Sequence, residues 1–281
     1  MRALAAALAL CAAPALAAEP LRVVATIEPL CMLVREIGGD ALACTTLVPP
    51  GASPHAYEPR PSAMAAVARA DLLVRAGNGI DDWAGPLANA GTERWVVLGP
   101  ECARDDSACA HFWLDPKRAG HAFASALMPL LAARAPEHAD AFVAREKAFG
   151  AALLAATYDA MATLEPARGS SFLAFHPAWS GFAGFFGLVD LGAIQSHGAE
   201  ESTPGRLAEL IRSARAANVR AVLVEPQLDP HTARIVAEEL GARVVTVDPL
   251  GDPRDPERAS YTALLAWNAR QLAAGLAKEP R

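Results

Sequence analysis

Apolar and polar positions in this chain alternate in a pattern that appears twice, on either side of a long helical middle. Leu21–Thr26 is a short run rich in β-formers, and Pro29–Ile37 follows it as a helix-like stretch ending at Gly38 and Gly39. Ala43–Val48 reads as the next strand and Ser62–Ala70 as a helix, with Asp71–Arg75 and Trp95–Leu98 as two further strands. In the second half, Ser171–Phe175 is a strand, Ala178–Phe186 a helix and Gly187–Leu191 a strand. Pro204–Ala217 is a helix with Ser202 and Thr203 as candidate caps. Ala221–Glu225 and Arg243–Val247 are strands flanking a helix over His231–Leu240, and Gly241 stands where a left-handed residue ends a helix. Apolar strands alternating with helices predict parallel sheets covered on both faces.

The middle, from Lys117 to Leu164, is helical throughout and divided by Pro136. Beyond that proline, Glu137–Leu164 would run on the order of 40 Å at 1.5 Å per residue, enough to traverse two lobes. The predicted fold is therefore α/β, with two lobes, each a mostly parallel sheet flanked by helices, joined by one long spine helix. The boundaries read as residues 1–17 for a signal peptide, 18–136 for the N-terminal lobe, 137–166 for the linking spine and 167–281 for the C-terminal lobe. In open parallel sheets, ligands bind beyond the carboxyl ends of strands. The chemistry is expected there, in a cleft between the lobes.

Composition changes this picture mainly at the amino terminus. Met1 and Arg2 precede an apolar run from Ala3 to Ala13, and Ala15-Leu16-Ala17 offers the small residues a signal peptidase needs. Pro14 interrupts the run, short of the ~20 apolar residues that span a bilayer. Leu10 precedes Cys11 where a lipoprotein signal has a small residue. Cleavage near Ala17 and a periplasmic location are expected. The whole chain has a net charge of −6, and losing Arg2 makes the remainder one charge more acidic. That balance argues against nucleic acid or an anionic membrane as partner.

The other cysteines, Cys31, Cys44, Cys102 and Cys109, allow three pairings in an exported chain. Cys102 and Cys109 flank a polar loop, so a bridge closing it is the economical expectation. Cys31 and Cys44 fall near opposite ends of a helix and read as small buried hydrophobes. Their spacing is not that of a zinc ribbon.

Three histidines stand in distinctive strings: His55 in Gly51–Pro59, His111 in His111–Pro116 and His176 in Phe172–Pro177. Asp248 closes the set after the apolar run Val244–Val247. Three imidazoles and one carboxylate make a tetrahedral set for a borderline-soft divalent ion, most naturally Zn2+, with Mn2+ or iron as the alternative. His121, His138 and His231 read as ordinary polar residues, whereas His197 follows a strand and is an auxiliary candidate beside the cleft. A secreted zinc hydrolase would need an open coordination position and a general base. No His-Glu-x-x-His helix is present, and Trp179-Ser180-Gly181 lacks the glycine that a nucleophile elbow requires. A binding protein, not an enzyme, is expected.

Taken in order, Gly51–Pro61, His111–Pro116, Phe175–Leu188, Val224–Gln227 and Val247–Gly251 resemble the metal-binding solute-binding proteins of bacterial zinc and manganese ABC importers, the cluster with a rigid helical backbone. The resemblance covers the mature chain. It implies His55, His111, His176 and Asp248 as metal ligands, with histidine at the third position accompanying zinc. It also implies delivery to an ABC transporter membrane permease by a monomeric protein. Glu225, ending a strand beside the site, is expected to hold a ligand imidazole in the right tautomer. Many zinc-specific relatives carry a histidine-rich loop between the first two ligands, but Gly99–Ala110 here has no histidine. That segment is expected to be a bridged lid or a docking surface for a metal-delivering chaperone.

Overall fold

The computed structural model describes residues 19–88, 95–99, 106–195 and 203–277. The expected signal segment, Cys102 and His197 lie outside these residues. The first lobe contains β1 (Leu21–Ala25), α1 (Glu28–Gly38), β2 (Leu42–Thr46), α2 (Pro61–Arg69), β3 (Leu72–Arg75), α3 (Gly85–Ala88) and β4 (Trp95–Val97). The short helices α4 (Ser107–Ala110), α5 (Pro116–Ala122) and α6 (Met128–Arg134) lead to α7 (Ala139–Leu164). The second lobe contains β5 (Ser171–Ala174), α8 (Ser180–Phe186), β6 (Val189–Ala193), α9 (Pro204–Ala216), β7 (Ala221–Val224), α10 (His231–Leu240), β8 (Arg243–Thr246) and α11 (Tyr261–Leu276). The sheets are four-stranded, ordered β2-β1-β3-β4 and β6-β5-β7-β8, and every pairing is parallel. The central strands of both sheets are mostly buried and apolar, as coverage on two faces requires.

The 26-residue α7 is about 39 Å long at 1.5 Å per residue. Its buried positions, Phe142, Phe149, Leu153, Thr157, Ala160 and Leu164, recur at helical spacing and form one stripe. That stripe packs against α1 of the first lobe and α11 of the second. One apolar core consequently runs from Val23 and Val74 through Phe142 and Phe149 to Phe172 and Leu272. Each such fully buried side chain contributes about 1.5–3 kcal/mol, so the spine couples the lobes rather than merely linking them.

Two features depart from the sequence reading. The first is α11, a helix beyond those the pattern predicts. Ser260 caps it, its hydroxyl accepting from Ala263 N–H, and apolar residues at 261, 264, 265, 269, 272 and 276 line its buried face. The second is a disulfide between Cys31 and Cys44, with Cα atoms 5.8 Å apart. The chain reverses between Gly38 and Ala41, so α1 runs back along the sheet while β2 runs forward. A residue near the start of α1 thereby comes level with the middle of β2, which distance along the helix alone does not reveal. Cys109 is also disulfide-bonded, while its expected partner Cys102 is outside the described residues.

Candidate metal centre

Each histidine is presented by a locally pinned segment. His55 sits in a single 3-10 turn, Pro54–Ala56, soon after β2. Trp83 Nε1 donates to the Pro54 carbonyl at 2.8 Å, and Tyr57 packs edge-on against the same indole. His111 ends α4, whose start is capped by Asp106 Oδ1 accepting from Cys109 N–H. Its Nδ1 lies 3.0 Å from the Ser107 carbonyl. A carbonyl only accepts, so Nδ1 carries the proton and Nε2 is left with the lone pair. His176 follows β5 directly, and its Nδ1 lies 3.4 Å from Glu225 Oε1. The same carboxylate oxygen accepts from the buried Trp179 Nε1 at 2.8 Å.

These three imidazoles converge. One ligand nitrogen from each lies within 4.8 Å of the others, the only such group among the described residues. His55 Nε2 and His176 Nε2 are 3.1 Å apart. Two nitrogens ~2.0–2.1 Å from one tetrahedral zinc would be separated by about 3.3 Å. Ring centroids lie 4.9 to 5.5 Å apart around the triangle. With His176 Nδ1–H turned to Glu225, its Nε2 lone pair points at His55, and a cation between the two nitrogens is the favourable occupant. The surrounding cavity has a volume of ≈ 20 Å³, with Gln195, Glu225 and Gln227 in its wall. That is room for an ion and a small ligand such as water, not for an organic substrate.

Asp248, the expected fourth ligand, is held in a hydrogen-bonding network of its own. Its carboxylate is not among the ligand atoms that gather around the histidines. Asp248 Oδ1 accepts from Gln227 Nε2 at 2.9 Å and from the Leu250 and Gly251 N–H groups at 3.0 Å each. Oδ2 is ion-paired with Arg258 at 2.7 Å. Asn268 of α11 grips the backbone, donating to the Asp248 carbonyl and accepting from its N–H, both at 2.8 Å. Gly251 has φ +75, and a Cβ there would meet the Arg258 carbonyl at 2.7 Å, so this tight return needs glycine. His176 follows β5 and Asp248 follows β8, two strands over, an offset of about 9.5 Å at the usual strand spacing.

The second sheet's strand ends thus present, in sheet order, Gln195, His176, Glu225 with Gln227, and Asp248. Glu225 lies beside His176, its Oε1 3.4 Å from the imidazole Nδ1. The first lobe reaches across through Trp113, whose Nε1 donates to the Pro249 carbonyl at 2.8 Å. Tyr261 in turn donates to the Trp113 carbonyl, and burial pushes its phenol well above the ordinary range, so it stays a neutral donor. His121, His138 and His231 are outside the convergent group. Sequence reasoning did not single out Gln195, Arg258 or Asn268. Gln227 was visible only as the last residue of the Val224–Gln227 string.

A family model for the periplasmic zinc-uptake complex component A, ZnuA, matches residues 23–275. The high-affinity zinc uptake system protein ZnuA of Brucella abortus is 33% identical over half of this chain, and the matched part spans 42% of that protein's length. ZnuA of Yersinia pestis is 25% identical, covering 89% of both chains. A crystal structure of a ZnuA deletion mutant with zinc bound superposes with a TM-score of 0.81 at 26% identity, covering 93% of this chain and 100% of the other. With the family model spanning nearly the whole described chain, and with both lobes and the spine matched, the protein belongs to the ZnuA family of periplasmic zinc-uptake components.

Proposed function

We propose that this chain captures a zinc ion between its lobes through His55, His111 and His176 and delivers it to the membrane permease of an ABC importer in the bacterial periplasm. The observation that carries this reading is the convergence of three imidazole nitrogens, drawn from both lobes, into one small cavity. Nitrogen donors suit zinc better than manganese, which prefers oxygen. Orientation is built in: the Ser107 carbonyl and Glu225 hold the outer nitrogens of His111 and His176, which directs the inner ones at the ion. A hydrolase fits poorly. The cavity has no room for an acyl substrate, and Glu225, the obvious base, is engaged by Trp179 and His176.

Because one apolar core spans α1, α7 and α11, release is expected to involve loop rearrangement and modest lobe tilting. The test is complementation. A bacterial strain lacking this chain should grow poorly under zinc chelation and recover with the wild-type chain but not with His176→Ala. Recovery on added manganese but not on zinc would contradict the reading.

A further inference from the structure

The spine helix α7 is apolar on two sides, and only one of them is covered. Its buried stripe packs against α1 and α11. On the other side Leu154 is 57% exposed, Tyr158 63% and Met161 38%. From Ala148 to Leu164 the helix carries a single charge, Asp159. A helix that is apolar all round is normally buried, and contiguous exposed apolar surface marks a contact. None of these three side chains lines the cavity of the histidines, so metal capture does not account for them.

The exposed positions Lys147, Ala151, Leu154, Tyr158, Met161 and Glu165 are separated by four, three, four, three and four residues. At 3.6 residues per turn they fall on one strip of about 80° of arc. The backbone stays helical through Glu165, with φ −53 and ψ −41. Such alternation of fours and threes keeps two paired helices in contact along their length. The spacing also reads the same from either end. Laid antiparallel on a second copy, with a two-fold axis level with Ala156, Lys147 meets Glu165, Ala151 meets Met161 and Leu154 meets Tyr158. Each pair then occurs twice, and a short side chain faces a long one at Ala151 and Met161.

Charge selects this arrangement over the alternative. A parallel pairing in register would set Lys147 against Lys147 and Glu165 against Glu165, and like charges across an interface are penalised. Within its own chain Glu165 is paired with Arg168 at 3.7 Å, where both side chains are exposed. An exposed pair of that kind is worth little, so it yields to a second partner.

We infer that the solvent face of α7 is a two-fold contact between two copies of this chain, antiparallel and centred level with Ala156. From Lys147 to Glu165 the strip is about 27 Å long at 1.5 Å per residue. A single helix pair stands at the low end of specific interfaces, so the association is weak and reversible. The monomer expected from the sequence is its dilute form. The contact uses no histidine of the metal centre, and each copy keeps its own site.

Sedimentation equilibrium of the full mature chain, loaded with zinc and followed over a range of concentrations, tests the inference. The wild-type chain should pass reversibly from monomer to dimer and stop there, because a two-fold contact closes on itself. Leu154→Glu, at a position exposed in the single chain, should lower the association constant by about tenfold or more while zinc content and circular dichroism stay unchanged. Lys147→Glu and Glu165→Lys should each weaken association, and both together in one chain should restore it by rebuilding the pairs with reversed sign. A wild-type chain that stays monomeric at the highest concentration reached would overturn the inference, as would a dimer indifferent to Leu154→Glu. A charge swap that fails to restore association would overturn the antiparallel register. A monomeric wild type whose Leu154→Glu variant fails to support growth under zinc chelation would assign this face to a different protein and overturn self-pairing.

Discussion

The two sheets have the same strand order and both bury a carboxylate near their strand ends, yet they use it differently. In the first sheet Asp81 is fully buried and accepts from Thr26 Oγ1 and from the Ala76 and Gly77 N–H groups, with Arg75 alongside. Its partners are the last residue of β3 and the loops after β1 and β3, so it closes the end of that sheet. Asp248 is gripped just as fully in the second sheet, but Gln227 is among its partners. Through that one side chain, a structural knot in the second lobe reaches the cavity of the histidines. Buried acids at equivalent strand ends thus differ in whether their hydrogen bonds reach the cavity of the histidines. What matters is which neighbours its hydrogen bonds orient.

The sharpest way to break this contrast is to remove each acid's role separately. Asp81→Ala removes the acceptor of several buried donors and the carboxylate beside Arg75, and should cost about 3–5 kcal/mol of stability in denaturant titration while zinc stoichiometry in the folded fraction is unchanged. His176→Ala should leave the fold intact and lower zinc affinity by more than the ~100-fold upper range for losing an outer hydrogen-bond partner, as competition with a chromophoric chelator would show. Glu225→Gln should fall within that outer range, about 10–100-fold, because the imidazole loses its anionic acceptor but not its place. Zinc must bind neutral imidazoles, so affinity in the wild-type chain should drop as pH falls below about 6.

A smaller effect lies on the edge strand of the second sheet. Burial pushes Asp190 up to about 6 from an ordinary 3.8, opposed by the Gly192 N–H. The folded chain then holds this proton across a window where the unfolded chain has lost it. Its contribution to stability is present below about pH 4 and lost as pH rises to about 6. Asp190→Asn should therefore gain about 1–2 kcal/mol at pH 7.5 and converge with wild type below pH 4, read from melting temperatures. His138→Ala, outside the convergent group, should leave both zinc affinity and stability near wild type.

The parts of the fold legible in the sequence were those written in short-range pattern. The eight strands β1–β8 fall within two residues of their expected bounds because apolar runs between breakers have few alternatives. His55, His111 and His176 stood out because distinctive strings surround them. What stayed hidden depends on lateral placement. The motif around Asp248 shows that it follows a strand, but Gln227, Arg258 and Asn268, which hold it, come from three other segments. Likewise, the reversal at Gly38–Ala41 brings Cys31 to Cys44 in a way that spacing does not display. The α11 signal was present in Ser260 and the apolar spacing after it, although its value lies in Asn268, a buried polar residue whose partner is the Asp248 backbone.

The central claim is that three imidazoles from both lobes bind one zinc ion. X-ray absorption at the zinc edge, on the mature chain loaded with a single equivalent, tests it most directly. One ion per chain is expected, with three imidazole nitrogens and a light oxygen scatterer near 2.0 Å, at the usual zinc–ligand distances. Sulfur in the coordination sphere, or fewer than three imidazoles, would contradict it.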